Sequence, residues 1–440
     1  MNYTKALVVA VNGLVVKAEY EGVQPKIGQV FTLEKSAEVK LEVIGLERSD
    51  ILVLINLSEH NFRQHDQIFS RGEVLQLPVG DEILGRVFNS FGQVIDGGPE
   101  LEKVDYIPVS DDTNTEFQDI KENAIIETGI KAIDFFAPFV KGRKTGIVGG
   151  AGVGKTVLIT EIMHNISKAG KEIAMFVGIG ERIREAYELR NTLKDANVLQ
   201  NTILYLGQMN DSAALRFLVG RSSSTVARYI RDTSKKDVLL FADNVYRYLQ
   251  AGNELSTMLG ESSSEGGYQP SLFTDLGHFE QNLSSSSKGS ITSVQTIFVP
   301  ADDTSDPAVV EVNKQLDSVL VLSREVFELG LRPAVDLLAT TSSLLIPEIV
   351  GKQHASLVPE VQKILQKHKT LEGIVAIIGE AELSLTDQNY YRRAQELISY
   401  FTQNMSVLEK RTGIPGDYVP RQQMLDKIDN IVNGTPIEQK

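Results

Sequence analysis

The octapeptide GGAGVGKT at residues 149–156 constrains this chain more than any other stretch. The apolar run TGIV precedes it and KTVLITEIM follows it. The first reads as a buried strand and the second as the opening of a helix. A strand that turns through glycines straight into a helix begins a βαβ unit, which calls for an α/β domain with a largely parallel sheet. The glycines also indicate what the turn holds. Gly149, Gly152 and Gly154 carry no Cβ, so backbone N–H groups can approach phosphate oxygens. The new helix points its positive end at the same place. The octapeptide matches G-x-x-x-x-G-K-[ST] in full. In that pattern Gly150, Ala151, Gly152, Val153 and Gly154 form the cradle and Val157 continues into the helix. Lys155 brings charge to the β- and γ-phosphates, and the Thr156 hydroxyl ligates Mg2+. The competing reading, a glycine-rich turn with no ligand, does not account for a match at every position.

The alternation continues downstream. IAMFVGIG leads into RIREAYELRNTLKDA, and DVLLFADN and SITSVQTIFVP each have helical neighbours. The flanks differ. Residues 1 to about 75 hold short runs rich in Val, Ile and Leu, among them KALVVAVNGLVVKAE and ILVLINL, separated by charged or Gly-containing turns. That pattern predicts a small β-barrel or sandwich. Beyond about residue 350 the strands stop, and QHASLVPEVQKILQKHKTLEGIVAII and YYRRAQELISYFTQNMSVLEK carry helical periodicity. The expected domains are 1–75, all β; 76–350, the phosphate-binding α/β unit; and 351–440, helical. A chain of 440 residues is longer than one core usually serves. The serine clusters SSSEGG and SSSSKG read as loops.

Composition narrows the function. There is no cysteine, which removes disulfides, thiol catalysis and cysteine–metal sites. The six histidines are scattered, without the spacing of a metal cage. A formal net charge of −14 argues against broad nucleic-acid binding. No apolar stretch approaches a membrane span, and the N-terminus has no cleavage signature, so a cytosolic chain is expected.

Two carboxylates join the phosphate loop. VLLFADN ends its apolar run on Asp243, which at the carboxyl end of a strand can hold Mg2+ directly or through water. FVGIGERIREAY stops an apolar run at glycines and then presents Glu181 and Arg182. A carboxylate near a triphosphate is useful if it orients the attacking water, and an adjacent arginine can stabilise the transferring phosphoryl group. From the residues alone, a surface Glu–Arg pair at a strand end explains them equally well.

Beyond these sites the chain resembles the catalytic β subunit of F-type rotary ATPases along nearly its whole length. The resemblance rests on LGRVFNSFGQVID, GIKAIDFFAPFVKGRKTGIVGGAGVGKTVLI, GIGERIRE, LGQMND, DVLLFADNVYRYLQAGNE, GYQPSLFTDLG, KGSITSVQTIFVPADDTSDPA and QKILQKHKTLEGIVAIIG. It implies an N-terminal β-barrel, a central P-loop, RecA-like nucleotide-binding domain and a C-terminal helical domain. It further implies ATP and ADP as substrate and product, with Mg2+ held by Thr156 and Asp243. Glu181 is then the water-positioning carboxylate, and Lys155, Arg182 and Arg247 contact phosphate. The implied partners are an α-like non-catalytic subunit in an alternating hexamer and a central, γ-like rotor, with membrane contact only through the complex.

This sequence departs from the family in three places. Where the family stacks adenine on aromatics, Arg332 precedes the PAVD motif, and Met405 and Arg411 stand at the C-terminal positions. The acidic segment that faces the rotor reads AELSLTD at 381–387, keeping only Glu382 and Asp387 acidic. The sequence also ends soon after IDNIVNG, short of the family's last elements. A divergent or specialised relative is expected. The alternatives are a motor not coupled to protons, a homohexameric secretion or flagellar-export ATPase, and a non-catalytic nucleotide-binding subunit.

Overall fold

A computed structural model gives the fold and describes residues 3–33, 36–109, 123–167, 172–195, 198–234, 236–300, 303 and 305–434. Of the stretches quoted above, Ala196, Ala301, Asp302 and Thr304 lie outside this set.

The N-terminal strands close into an antiparallel barrel in the order Thr4–Asn12, Val15–Glu21, Ile51–Asn56, Ser36–Leu46, Val30–Leu33, Gln67–Ser70, the last pairing back with the first. Alternate residues turn inward, as the period of a strand requires. Ala6, Val8, Val16, Ala18, Leu52 and Leu54 fill the interior. A separate apolar patch, with Val15, Val30 and Ile55 against Ala214 and Leu218, fastens the barrel to the next domain.

The central sheet runs Thr341–Ser342, Ser318–Val321, Lys144–Gly149, Ile291–Phe298, Val238–Asp243, Ile173–Glu181, Thr202–Gln208, Val87–Phe88. Only the Thr341–Ser342 edge is antiparallel. A parallel sheet is covered on both faces, so its strands are apolar without alternation. Val238–Asp243 shows why. Leu239 and Phe241 enter one core with Leu158, Ile162 and Met163 of the helix Lys155–Ser167, while Val238, Leu240 and Ala242 enter the other with Val226, Leu249 and Phe279.

The helices Lys352–Ile378, Leu385–Phe401 and Arg421–Asn433 add Val361, Ile364, Leu397 and Ile428 to the first of those cores. The C-terminal domain therefore packs on the face that carries the phosphate-loop helix. At its far end a turn at Glu380–Glu382 leads into Leu385–Phe401, and Ile377 and Leu385 are exposed there. Among the described residues no helix is long and apolar enough to cross a membrane.

Candidate active site

Adjacent strands bring Gly149, Phe298, Asp243 and Glu181 to one edge of the sheet, each the last residue of its strand. Gly149 pairs with Phe298, and Asp243 with Gly178. The crevice beyond the carboxyl ends of a parallel sheet is where such folds place ligands. Here it is a cavity of about 770 Å3, lined by the phosphate loop, both carboxylates, Arg182 and Arg247.

The loop has the backbone its glycines allow. Gly152 and Gly154 sit at φ +78° and +94°, a region that residues with a Cβ rarely adopt. Lys155 Nζ donates to the Gly149 and Gly150 carbonyls at 2.6 and 2.5 Å, which brings the ammonium back over the loop. It lies 5.5 Å from the centre of the Phe298 ring. Ala151 and Val157 also line the cavity, and Thr156 faces it from the first turn of the helix.

Asp243 is buried, and its carboxylate accepts a 2.5 Å hydrogen bond from the Thr296 hydroxyl. Burial pushes its pKa up, opposed by the Thr296 bond and by the charges of Lys155 and Arg247. Burial also pushes Glu181 up, to about 8, with the negative charge of Asp243 adding to the effect and Arg247 opposing it. Arg247 approaches Glu181 to 3.9 Å from the first turn of Val245–Leu259. Asn244 caps that helix by accepting from the Tyr246 N–H at 2.9 Å. Gly180 makes the approach possible: at φ +66°, a Cβ there would stand 3.1 Å from Arg247 Cδ. Glycine before Glu181 therefore lets the arginine pass.

The buried Asp243, the partly buried Glu181 and Thr156 line one cavity and offer hard oxygen donors. That set fits a magnesium ion held by Thr156 and Asp243. Arg182 stands at the rim, mostly exposed and 3.9 Å from the Glu185 carboxylate. Glu185 was not singled out from sequence, yet it lines the cavity and its hydrogen bond helps raise Glu181.

A second cavity of about 370 Å3 adjoins the first, sharing Gly154, Val157, Leu408 and Arg411 with it. Val153, Arg332 and Met405 line it as well, so Arg332, Met405 and Arg411 converge on one cavity. Met405 is buried and Arg411 exposed. Phe327, from the short helix Arg324–Glu328, also lines the pocket. The Arg332 guanidinium lies 3.7 Å from the centre of the Phe327 ring, and Arg332 Nη1 donates to the Phe327 and Leu331 carbonyls at 2.8 Å each. The pocket thus keeps an aromatic, with arginine over one face. Its sequence signal was an aromatic shortly before GLRPAVD, in a segment matched only at the motif.

A phosphate loop, two carboxylates at neighbouring strand ends and an adjoining pocket define a P-loop nucleotide-binding protein. Residues 129–342 match the nucleotide-binding domain of the ATP synthase alpha/beta family, and residues 344–432 match the C-terminal domain of V and A type ATP synthase. With the N-terminal barrel, this fits an ATP synthase alpha/beta-type subunit. That family implies ATP and ADP binding and a hetero-oligomeric rotary complex.

Proposed function

We propose that the chain is a catalytic subunit of such a complex, hydrolysing or synthesising ATP with Mg2+ and coupling it to rotation of a central shaft. The observation that carries this reading is Glu181. It ends a strand beside Asp243, faces the cavity of the phosphate loop and is braced by Arg247 at 3.9 Å. When bound, Mg2+ draws charge from the phosphate oxygens. The chain's own groups do the rest. Lys155 and Arg247 bind phosphate, Arg182 offsets charge at the rim, and Glu181 orients water in line with the γ-phosphate. A glutamate raised towards neutral pH is also suited to exchange a proton with that water. A partner subunit completes the site with an arginine, which supplies roughly 10³–10⁵-fold in rate when delivered in trans.

The sequence motifs favour an F-type β subunit, paired with an α-like partner and a γ-like rotor, peripheral at the cytoplasmic side of a membrane. The match of residues 344–432 favours the V and A type for the C-terminal domain. The composition of the complex separates the two. The test of the catalytic reading is Mg2+-dependent ATPase activity, measured for the chain alone and with its co-purifying subunits. Slow turnover alone and fast turnover in the complex is the expected result. A complex whose nucleotide at this site never turns over contradicts it.

A further inference from the structure

Glu161 lies on the phosphate-loop helix one turn beyond Val157, and it is 1% exposed. The functional reading so far gives this buried carboxylate no task. Its Oε2 accepts the backbone N–H of Val407 at 2.9 Å, across 246 residues of sequence. Its Oε1 takes a longer bond, 3.4 Å, from the Asn165 side-chain amide, which also donates to the Thr128 carbonyl at 2.9 Å. Val407 and Leu408 line the phosphate cavity, and Met405, Leu408, Arg411 and Thr412 line the adjoining pocket.

The other end of that segment is pinned as well. The Gln403 side chain accepts from the Lys131 N–H at 3.0 Å and donates to the Gly129 and Asp417 carbonyls at 2.7 Å each. The Gln403 N–H donates to the Arg332 carbonyl at 2.6 Å. Residues 403–408 are therefore a strap across the base pocket, held to Arg332 at one end and to the phosphate-loop helix at the other. Glu161 makes the second attachment through a side chain of the helix that carries Lys155 and Thr156. A carboxylate accepting a buried backbone N–H forms a stronger bond than a neutral acceptor would.

We infer that Glu161 is a positioning residue: it fixes the wall of the base pocket relative to the phosphate loop, and so sets how much the base adds to binding. This rests on the proposal that the cavity takes nucleoside triphosphates. The strap is bonded to the helix that opens from the phosphate cradle, so the bond specifies their spacing.

The test compares two probes on the full-length chain: MgATP, which has a base, and magnesium tripolyphosphate, which has none. Replacing Glu161 with leucine (Glu161→Leu) should weaken MgATP about tenfold and leave tripolyphosphate affinity within twofold. Glu161→Gln, whose amide oxygen can still accept the Val407 N–H, should restore most of the MgATP affinity. In the complex, Glu161→Leu should raise the KM for ATP more than it lowers kcat. Equal weakening of both probes means that Glu161 merely supports the helix, and it overturns the inference. So does unchanged binding of both. If Glu161→Leu does not fold, Val407→Pro removes the donor while keeping the carboxylate, and the same difference between probes is required of it. A wild-type chain that binds neither probe refutes the functional reading instead, so the two failures are distinct.

Discussion

The phosphate end of the cavity comes from contiguous chain, and the base end is gathered from segments far apart. Gly149 to Val157 form one loop and the start of its helix, and the sheet brings Asp243 and Glu181 beside it through regular parallel pairing. The adjoining pocket, proposed to take the base, instead collects Val153, Phe327, Arg332, Met405 and Arg411 from the phosphate loop, a short helix and the turn after it, and the C-terminal domain. Where backbone geometry does the binding, few side chains can vary. Where side-chain surfaces do it, methionine or arginine can replace an aromatic and still fill the space. The contrast predicts that substitutions at the two ends differ in kind and in size.

The largest effect on nucleotide binding is expected at Lys155. Lys155→Ala removes the one lysine of the cradle, so nucleotide affinity should fall and turnover of the complex should drop by about 10²–10³-fold or more. Steady-state ATPase rates and equilibrium nucleotide binding check this. A loss of similar size from any single base-pocket substitution would break the comparison.

An intermediate effect concerns pH. Glu181 is raised to about 8 in the folded chain, while an unfolded glutamate titrates in the ordinary carboxylate range. Between those values the folded chain holds a proton that the unfolded chain has released. Stability therefore falls as pH rises through that window. Glu181→Gln cannot ionise and escapes the loss. The variant should melt close to wild type at pH 5 and higher at pH 9, by on the order of 2–4 °C. Thermal melts of the nucleotide-free chain across that range decide it, and a constant difference would show that burial does not hold the proton on Glu181.

The smallest effect is at Arg332. A tyrosine there adds an aromatic surface beside Phe327, so Arg332→Tyr should tighten ATP by up to about tenfold and sharpen discrimination against GTP. Affinity and kcat/KM for both nucleotides provide the measurement. Unchanged or weaker ATP binding would mean that the contacts of Arg332 to the Phe327 ring and carbonyl matter more than its face does.

The same contrast explains what the sequence revealed. The phosphate loop was legible because its glycines, lysine and threonine act within a few residues, and the strand–helix period fixed its surroundings. Asp243 was legible as the end of an apolar run. Glu181 was visible, but its environment was not, since burial, Arg247 and the space left by Gly180 are properties of packing. Phe327 was missed because it reaches the pocket from outside the matched motif. The bond from Glu161 to the Val407 N–H joins a helix to a backbone group 246 residues away, and no local pattern marks it. An all-β unit, an α/β sheet and a helical domain were readable from period, and the choice of a barrel over a sandwich came from the resemblance, while the order of strands in the sheet required long-range pairing.

The central claim is that the strand-end carboxylate works on the reaction and contributes little to holding the nucleotide. Glu181→Gln keeps the side chain's size and removes its ionisable carboxyl, leaving Lys155, Thr156 and Asp243 in place. Nucleotide affinity and single-turnover hydrolysis should be measured together on the assembled complex. The account predicts MgATP affinity within a few-fold of wild type and hydrolysis slowed by about 10³-fold or more. Hydrolysis near the wild-type rate would contradict it.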